Sequence, residues 1–136
     1  MRFLIIDDEE ICRELLVEML EPLGLCDVAA HGEEAIEAVR CSLESAEPYD
    51  LICLDIMMPG LNGYAVLERI RTMETEQNRC GDGRAKVIMT TALADTSHRM
   101  QAFREGCESY LTKPFSENDL LRAMDRLGLN TAVCSD

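Results

Sequence analysis

Apolar residues in this chain fall into two rhythms that alternate. One is a short unbroken run, the other a longer stretch repeating every three or four positions. "RFLIID" (2–7) is a run ending in acid. Ile11, Leu15, Met19 and Leu23 then form an i, i+4 stripe with Cys12, Leu16 and Leu20 beside it, which predicts an amphipathic helix closed by Gly24. "LCDVAA" (25–30) predicts a weaker strand, and Ala35, Ile36, Val39 and Leu43 a second helix ending before Pro48. "DLICLD" (50–55) is the third strand, followed by a helix on Val66, Leu67, Ile70 and Met73. "AKVIMTT" (85–91) is the fourth strand. Met100, Ala102, Phe103 and Cys107 mark the fourth helix, "SYLT" (109–112) a short fifth strand, and "SENDLLRAMDRLG" (116–128) the last helix. Ser116 suits an N-cap, Asp119 completes a short capping box, and Gly128 stops the helix.

Five strands, each followed by a helix, predict an α/β fold with a parallel sheet covered on both faces. Strands one, three and four read as continuous apolar runs, as expected of parallel strands buried on both sides. A single domain over 1–128 with a short tail at 129–136 is the expected organisation. One connection, "TEQNRCGDGR" (75–84), is longer, more polar and richer in glycine than such a link requires.

Composition narrows the function. At 136 residues, 47% apolar, the chain can bury a core without staples, and with 4% aromatics and no Trp that core is aliphatic. Seven cysteines, an odd number with no CxxC spacing, argue against a disulfide framework or zinc. Five of them, Cys12, Cys26, Cys41, Cys53 and Cys107, lie in apolar-periodic segments and are expected to be buried, reduced thiols. A net charge of −13 disfavours direct nucleic-acid binding, which needs clustered Lys and Arg. The N-terminal apolar run is too short for a signal peptide, and no run is long enough to span a membrane; a cytoplasmic location is the expectation.

Candidate chemistry sits at the carboxyl ends of the predicted strands, where open α/β sheets bind ligands. Strand one ends in Asp7 and Asp8, strand three in Asp55, strand four in Thr90 and Thr91, and strand five runs into Lys113 and Pro114. Two like charges ~4 Å apart repel by about 4 kcal/mol at an effective dielectric of 20, so three clustered carboxylates call for a cation. Hard oxygen donors with room for water suit Mg²⁺ or a similar divalent ion such as Mn²⁺. With the ion in place, a carboxylate can attack phosphorus while negative charge is offset.

The segments "IIDDEE", "LICLDIMMPGLNG", "VIMTTA" and "YLTKPF" resemble, in order and spacing, the signature segments of response-regulator receiver domains, the CheY-like family. The likeness runs from Arg2 to Gly128. It implies a doubly wound (βα)5 sheet in the order 2-1-3-4-5, a flavodoxin-like architecture. It implies that Asp55 becomes an aspartyl phosphate, that Asp8 binds the metal directly and Asp7 largely through water, and that the Met57 backbone carbonyl is a further ligand. Lys113 would pair with the phosphoryl group, Thr91 would hydrogen-bond it, and Ala92 would leave room for a donor. Tyr110 would be the switch aromatic, swinging inward as Thr91 moves. The Lys113–Pro114 bond would be cis. Thr90 reads as a plain β-former, Met58 as packing, and His31 and His98 as solitary surface residues.

The implied function is that of a stand-alone response regulator in a two-component or phosphorelay pathway, not a conventional enzyme. A histidine kinase or histidine phosphotransfer protein would supply the phosphoryl group. A target protein would meet the face of the fourth helix, fifth strand and fifth helix, which carries His98, Arg99, Arg104, Arg122 and Arg126. Neither nucleic acid nor a membrane is an expected direct partner. Three other readings compete. A flavodoxin-like electron carrier would need a hydroxyl- and Gly-rich loop where Asp7-Asp8-Glu9-Glu10 stands. A dehalogenase-type phosphatase would need an acid where Met57 stands. A degenerate receiver acting only as a binding module would not need the intact acids, Thr91 and Lys113.

Overall fold

The computed structural model describes residues 1–79, 83–93 and 95–129. Five parallel strands, β1 (Arg2–Ile6), β2 (Leu25–Ala29), β3 (Leu51–Leu54), β4 (Lys86–Thr91) and β5 (Ser109–Thr112), form one sheet in the order 2-1-3-4-5. The helices are α1 (Glu10–Leu20), α2 (Gly32–Glu44), α3 (Gly63–Glu76), α4 (Thr96–Glu105) and α5 (Glu117–Arg126), with a 3-10 turn at Glu21–Leu23. The helix α3 continues through Glu76, so the long connection starts later than its composition suggests. Residues 80–82 of that connection, and 130–136 of the expected tail, lie outside the described residues.

The period-2 geometry of a strand divides the core into two layers. Leu4, Ile6, Ile52, Leu54, Val87 and Met89 face α2 and α3. Phe3, Ile5, Leu51, Cys53 and Ile88 face α1 and α5. Each fully buried aliphatic side chain contributes about 1.5–3 kcal/mol. The strands β1 and β3 are apolar at nearly every position, and β4 through Val87, Ile88 and Met89, because both of their faces are covered. β2 is a sheet edge, and Leu25 and Val28 on it are exposed.

Two helices depart from the expected pattern. On α1 the buried stripe is Leu16 and Leu20, with Val17, Met19 and Leu23 against it, while Ile11 is 73% and Leu15 49% exposed. The stripe predicted through Ile11 and Leu15 is rotated by one residue from the one the sheet covers. On α4 only Ala102 is buried; Met100 and Phe103 are exposed, and Cys107 is buried just past the helix end. The thiols need a similar correction. Cys53 and Cys107 are buried, but Cys12 and Cys26 are half-buried and Cys41 is exposed, all five free. Cys80 and Cys134 lie outside the described residues. At α5 the expected capping box is present: the Ser116 side chain accepts from the Asp119 amide, and Asp119 accepts from the Ser116 amide.

Candidate functional site

The sheet's hydrogen-bond ladder runs on past the strand ends and fixes the backbone of the acids. The Asp7 amide donates to the Ala29 carbonyl at 3.1 Å, and the Asp55 amide to the Ile6 carbonyl at 3.0 Å. The Lys113 amide donates to the Thr91 carbonyl at 2.7 Å. Beyond Asp55 the chain folds back sharply, with the Gly63 amide donating to the Ile56 carbonyl at 2.9 Å. A Cβ on Gly63 would lie 2.4 Å from the Asp55 carbonyl oxygen, so only glycine lets α3 start this close to the acid. Asn62 caps α3, its side chain accepting from the Ala65 amide.

This scaffold brings Asp7, Asp8 and Asp55 together, with one oxygen of each within 4.8 Å of the others. Asp7 and Asp55 are buried and Asp8 is exposed. Lys113 Nζ donates to Asp7 Oδ2 at 2.6 Å and to Asp55 Oδ2 at 3.3 Å, and lies 3.6 Å from Glu9 Oε1. Asp55 Oδ1 accepts from the Met57 amide at 3.2 Å. The Lys113–Pro114 peptide bond is cis.

Burial pushes the Asp55 carboxyl above the ordinary carboxylate range; Lys113 pulls it down and the charge of Asp7 adds to the rise. Burial acts against the Lys113 ammonium, but its hydrogen bond to Asp7 and the charges of Asp55 and Asp7 outweigh that and hold it above its usual value. One ammonium thus faces three carboxylates, and the site retains an excess of negative charge. Oxygen donors, partial exposure at Asp8 and this surplus charge suit a hard divalent cation.

Thr91 is buried at the tip of β4, and its Oγ1 accepts from the Leu93 amide at 3.3 Å. Ala92 and Met57 are exposed. Tyr110 is already buried: its hydroxyl donates to the Leu93 carbonyl at 2.6 Å and the Arg99 guanidinium lies 4.8 Å from its ring centroid. His31 is exposed, and its Nδ1 accepts from the Glu34 amide at 3.4 Å as the α2 cap. His98 is not solitary: it stacks on Tyr64 and is hydrogen-bonded to it.

Arg13, Glu9 and Cys12 join the site without having been singled out. Arg13 donates to the Asp7 carbonyl at 2.8 Å, and the Glu9 amide to Asp7 Oδ1 at 2.9 Å, so both orient the buried acid. Cys12 Sγ lies 3.3 Å from Glu9 Oε1. The start of α1 places these three side chains one turn beyond Asp7. An acidic start to a helix is common enough that the sequence alone gave no reason to separate them from a solvated turn.

The response regulator receiver domain family matches residues 3–125, nearly all of the chain. The chain belongs to the response-regulator receiver family. Receivers are phosphoacceptor modules of two-component signalling rather than conventional enzymes, and they pair with histidine kinases. Among curated relatives, the transcriptional regulatory protein ResD of Bacillus subtilis is 36% identical over 121 residues, covering 88% of this chain and 45% of ResD. A probable transcriptional regulator, ycf27, of Guillardia theta is 38% identical over 120 residues, covering 88% of this chain and 42% of that protein. The chain therefore spans about half the length of the curated relatives it matches. Among solved structures, CheY of Borrelia burgdorferi in complex with CheX, BeF3 and Mg²⁺ superposes with a TM-score of 0.79 at 25% identity, covering 95% of this chain and 90% of that one. A Francisella response-regulator receiver domain gives a TM-score of 0.73 at 30% identity, covering 93% and 94%. The receiver family membership removes the flavin-carrier and dehalogenase alternatives.

Proposed function

We propose that Asp55 is the phosphoryl acceptor of a response regulator and that its phosphorylation controls a partner protein. The observation carrying this reading is the Asp55 carboxylate, on a rigid strand tip, clustered with Asp7 and Asp8 and joined to Asp7 through the Lys113 ammonium. The donor would be the phosphohistidine of a histidine kinase or histidine phosphotransfer protein. An Asp55 oxygen attacks phosphorus, the P–N bond breaks, and the imidazole takes up a proton as it leaves.

Asp7, Asp8, Asp55 and the Met57 carbonyl would hold Mg²⁺, or Mn²⁺, which offsets charge on the phosphoryl oxygens. The chain's own groups do the rest. The Met57 amide orients Asp55, leaving its other oxygen toward Lys113. Lys113, already charged and fixed by Asp7, offers an ammonium to the incoming phosphoryl group. Ala92 presents only a methyl group at the mouth. Thr91 Oγ1, now accepting from the Leu93 amide, keeps its own proton available for a phosphoryl oxygen. A Thr91 that turns to the phosphoryl group gives up the Leu93 amide, and Leu93 keeps only its carbonyl bond to Tyr110. The face of α4, β5 and α5, with Arg99, Arg104, Arg122 and Arg126, would present the change to a target. Incubation with acetyl phosphate and Mg²⁺ should label the wild-type protein once and Asp55→Asn not at all; undiminished labelling of the variant would overturn the assignment.

A further inference from the structure

The helix α4 has an unusual attachment. Of its ten residues only Ala102 is buried, so apolar burial holds it weakly. Its two ends are held instead by polar side chains of α3. Tyr64 and Arg71 are seven residues apart, about two helical turns, and so share one face of α3. Arg71 Nε and Nη2 donate to the Gly106 carbonyl, just past the end of α4, at 3.1 and 2.8 Å. The same guanidinium is fixed by Glu74, Glu108 and the Ala85 carbonyl, which makes that end a firm anchor.

The other end is held more lightly. The Tyr64 hydroxyl lies 2.9 Å from His98 Nδ1 and 3.2 Å from the His98 carbonyl. The two rings are nearly parallel, 7° apart, with centroids separated by 6.3 Å. His98 sits in the first turn of α4, three residues after the Asp95 cap. Leu93, just upstream, is tied to Thr91 through its amide and to Tyr110 through its carbonyl. Leu93 and His98 are therefore held between them from three elements, β4, β5 and α3.

We infer that Tyr64 is a positioning residue of the switch, a latch that holds the first turn of α4 in place while Arg71 acts as the fixed pivot. This rests on the phosphoacceptor reading of Asp55. When Thr91 leaves the Leu93 amide, the start of α4 can follow only if the Tyr64–His98 contact yields. The latch opposes activation, and removing it makes the activated state easier to reach. One hydrogen bond of ordinary strength corresponds to about a fivefold change in that equilibrium.

The test compares wild type, Tyr64→Phe and His98→Ala by titration with beryllofluoride and Mg²⁺, followed through amide chemical shifts. Tyr49→Phe serves as a control, since it removes another phenol hydrogen bond, to Asp27, outside the α3–α4 contact. Amide hydrogen exchange across 96–105 is measured without metal or beryllofluoride. Tyr64→Phe and His98→Ala should bind beryllofluoride about fivefold more tightly and exchange faster in α4, with Tyr49→Phe like wild type. A purely structural role for Tyr64 predicts equal or weaker binding, and that result in both variants would overturn the latch. Failure of the wild type itself to bind beryllofluoride would instead count against the phosphoacceptor reading.

Discussion

Two clusters of charged side chains sit at opposite ends of the same sheet. At the carboxyl ends of the strands, Asp7, Asp8 and Asp55 cluster, and the ammonium of Lys113 meets Asp7, Asp55 and Glu9. At the amino ends of β4 and β5, Arg71 and Arg84 meet Glu74 and Glu108, two cations against two anions among the described residues. The lower cluster is also saturated at its carboxylates. Glu74 accepts from Arg71 and from the Ala85 amide; Glu108 accepts from Arg71, Arg84 and the Val87 amide. Glu74 is 2% exposed and tolerable there only because its oxygens are occupied. The oxygens of Asp7 and Asp55 also accept hydrogen bonds, but the upper cluster keeps surplus negative charge, and Asp8 is open to solvent. Charge-balanced groups fasten loops together; unbalanced ones are arranged for something that comes and goes.

The comparison can be broken at its lower end first. Glu74→Ala leaves Arg71 without one of its two carboxylate partners in a buried place, and a loss of about 3–5 kcal/mol in urea unfolding is expected. The fraction that remains folded should still take phosphate from acetyl phosphate. Retained stability would show the lower cluster to be ornamental, and lost labelling in folded protein would tie it to the chemistry.

Mg²⁺ provides the next largest effect. At about a hundred times its dissociation constant it should raise unfolding stability by about 2.7 kcal/mol. Asp8→Ala should lose most of that increment. Glu108→Gln, at the other end, should be less stable than wild type yet keep the full increment, as read from denaturant midpoints with and without the ion.

Acidity should then separate the clusters more gently. The folded protein holds the Asp55 proton more tightly than the unfolded chain does, because burial raises its value above the ordinary 3.8. Without metal, this group therefore adds stability as pH falls into the window just above that ordinary value, and the contribution is lost as pH rises out of it. Asp55→Asn, unable to ionise, should abolish that component of the pH profile. The smallest expected effect belongs to the same variant at neutral pH without metal. Removing a buried charge from a site with surplus charge should raise the melting temperature modestly. A fall would mean that the Lys113–Asp55 pair outweighs the burial of the acid.

Most of the upper cluster was legible in the sequence, and the lower one was not. Asp7, Asp8, Asp55 and Lys113 each end an apolar run, so the alternation of strands and helices is enough to bring them to one edge. Arg71, Glu74 and Glu108 carry no such mark. Arg71 and Glu74 look like an exposed helical pair three residues apart, and Glu108 like a loop acid, until the packing of α3 against the start of β4 encloses them. The burial of α1 is hidden in the sequence for a different reason. It carries two neighbouring apolar stripes, through Ile11 and Leu15 and through Leu16 and Leu20, and only the position of the sheet selects between them. His98 was missed because its partner, Tyr64, is 34 residues away.

The backbone ladder that reaches Asp55 and Lys113 carries a consequence for divergence. Their amides are pinned by the carbonyls of Ile6 and Thr91, groups that every sequence supplies. The geometry at the reactive end therefore depends little on which side chains clothe the helices. Surface residues of α4 and α5 can be exchanged wholesale without moving the Asp55 carboxylate.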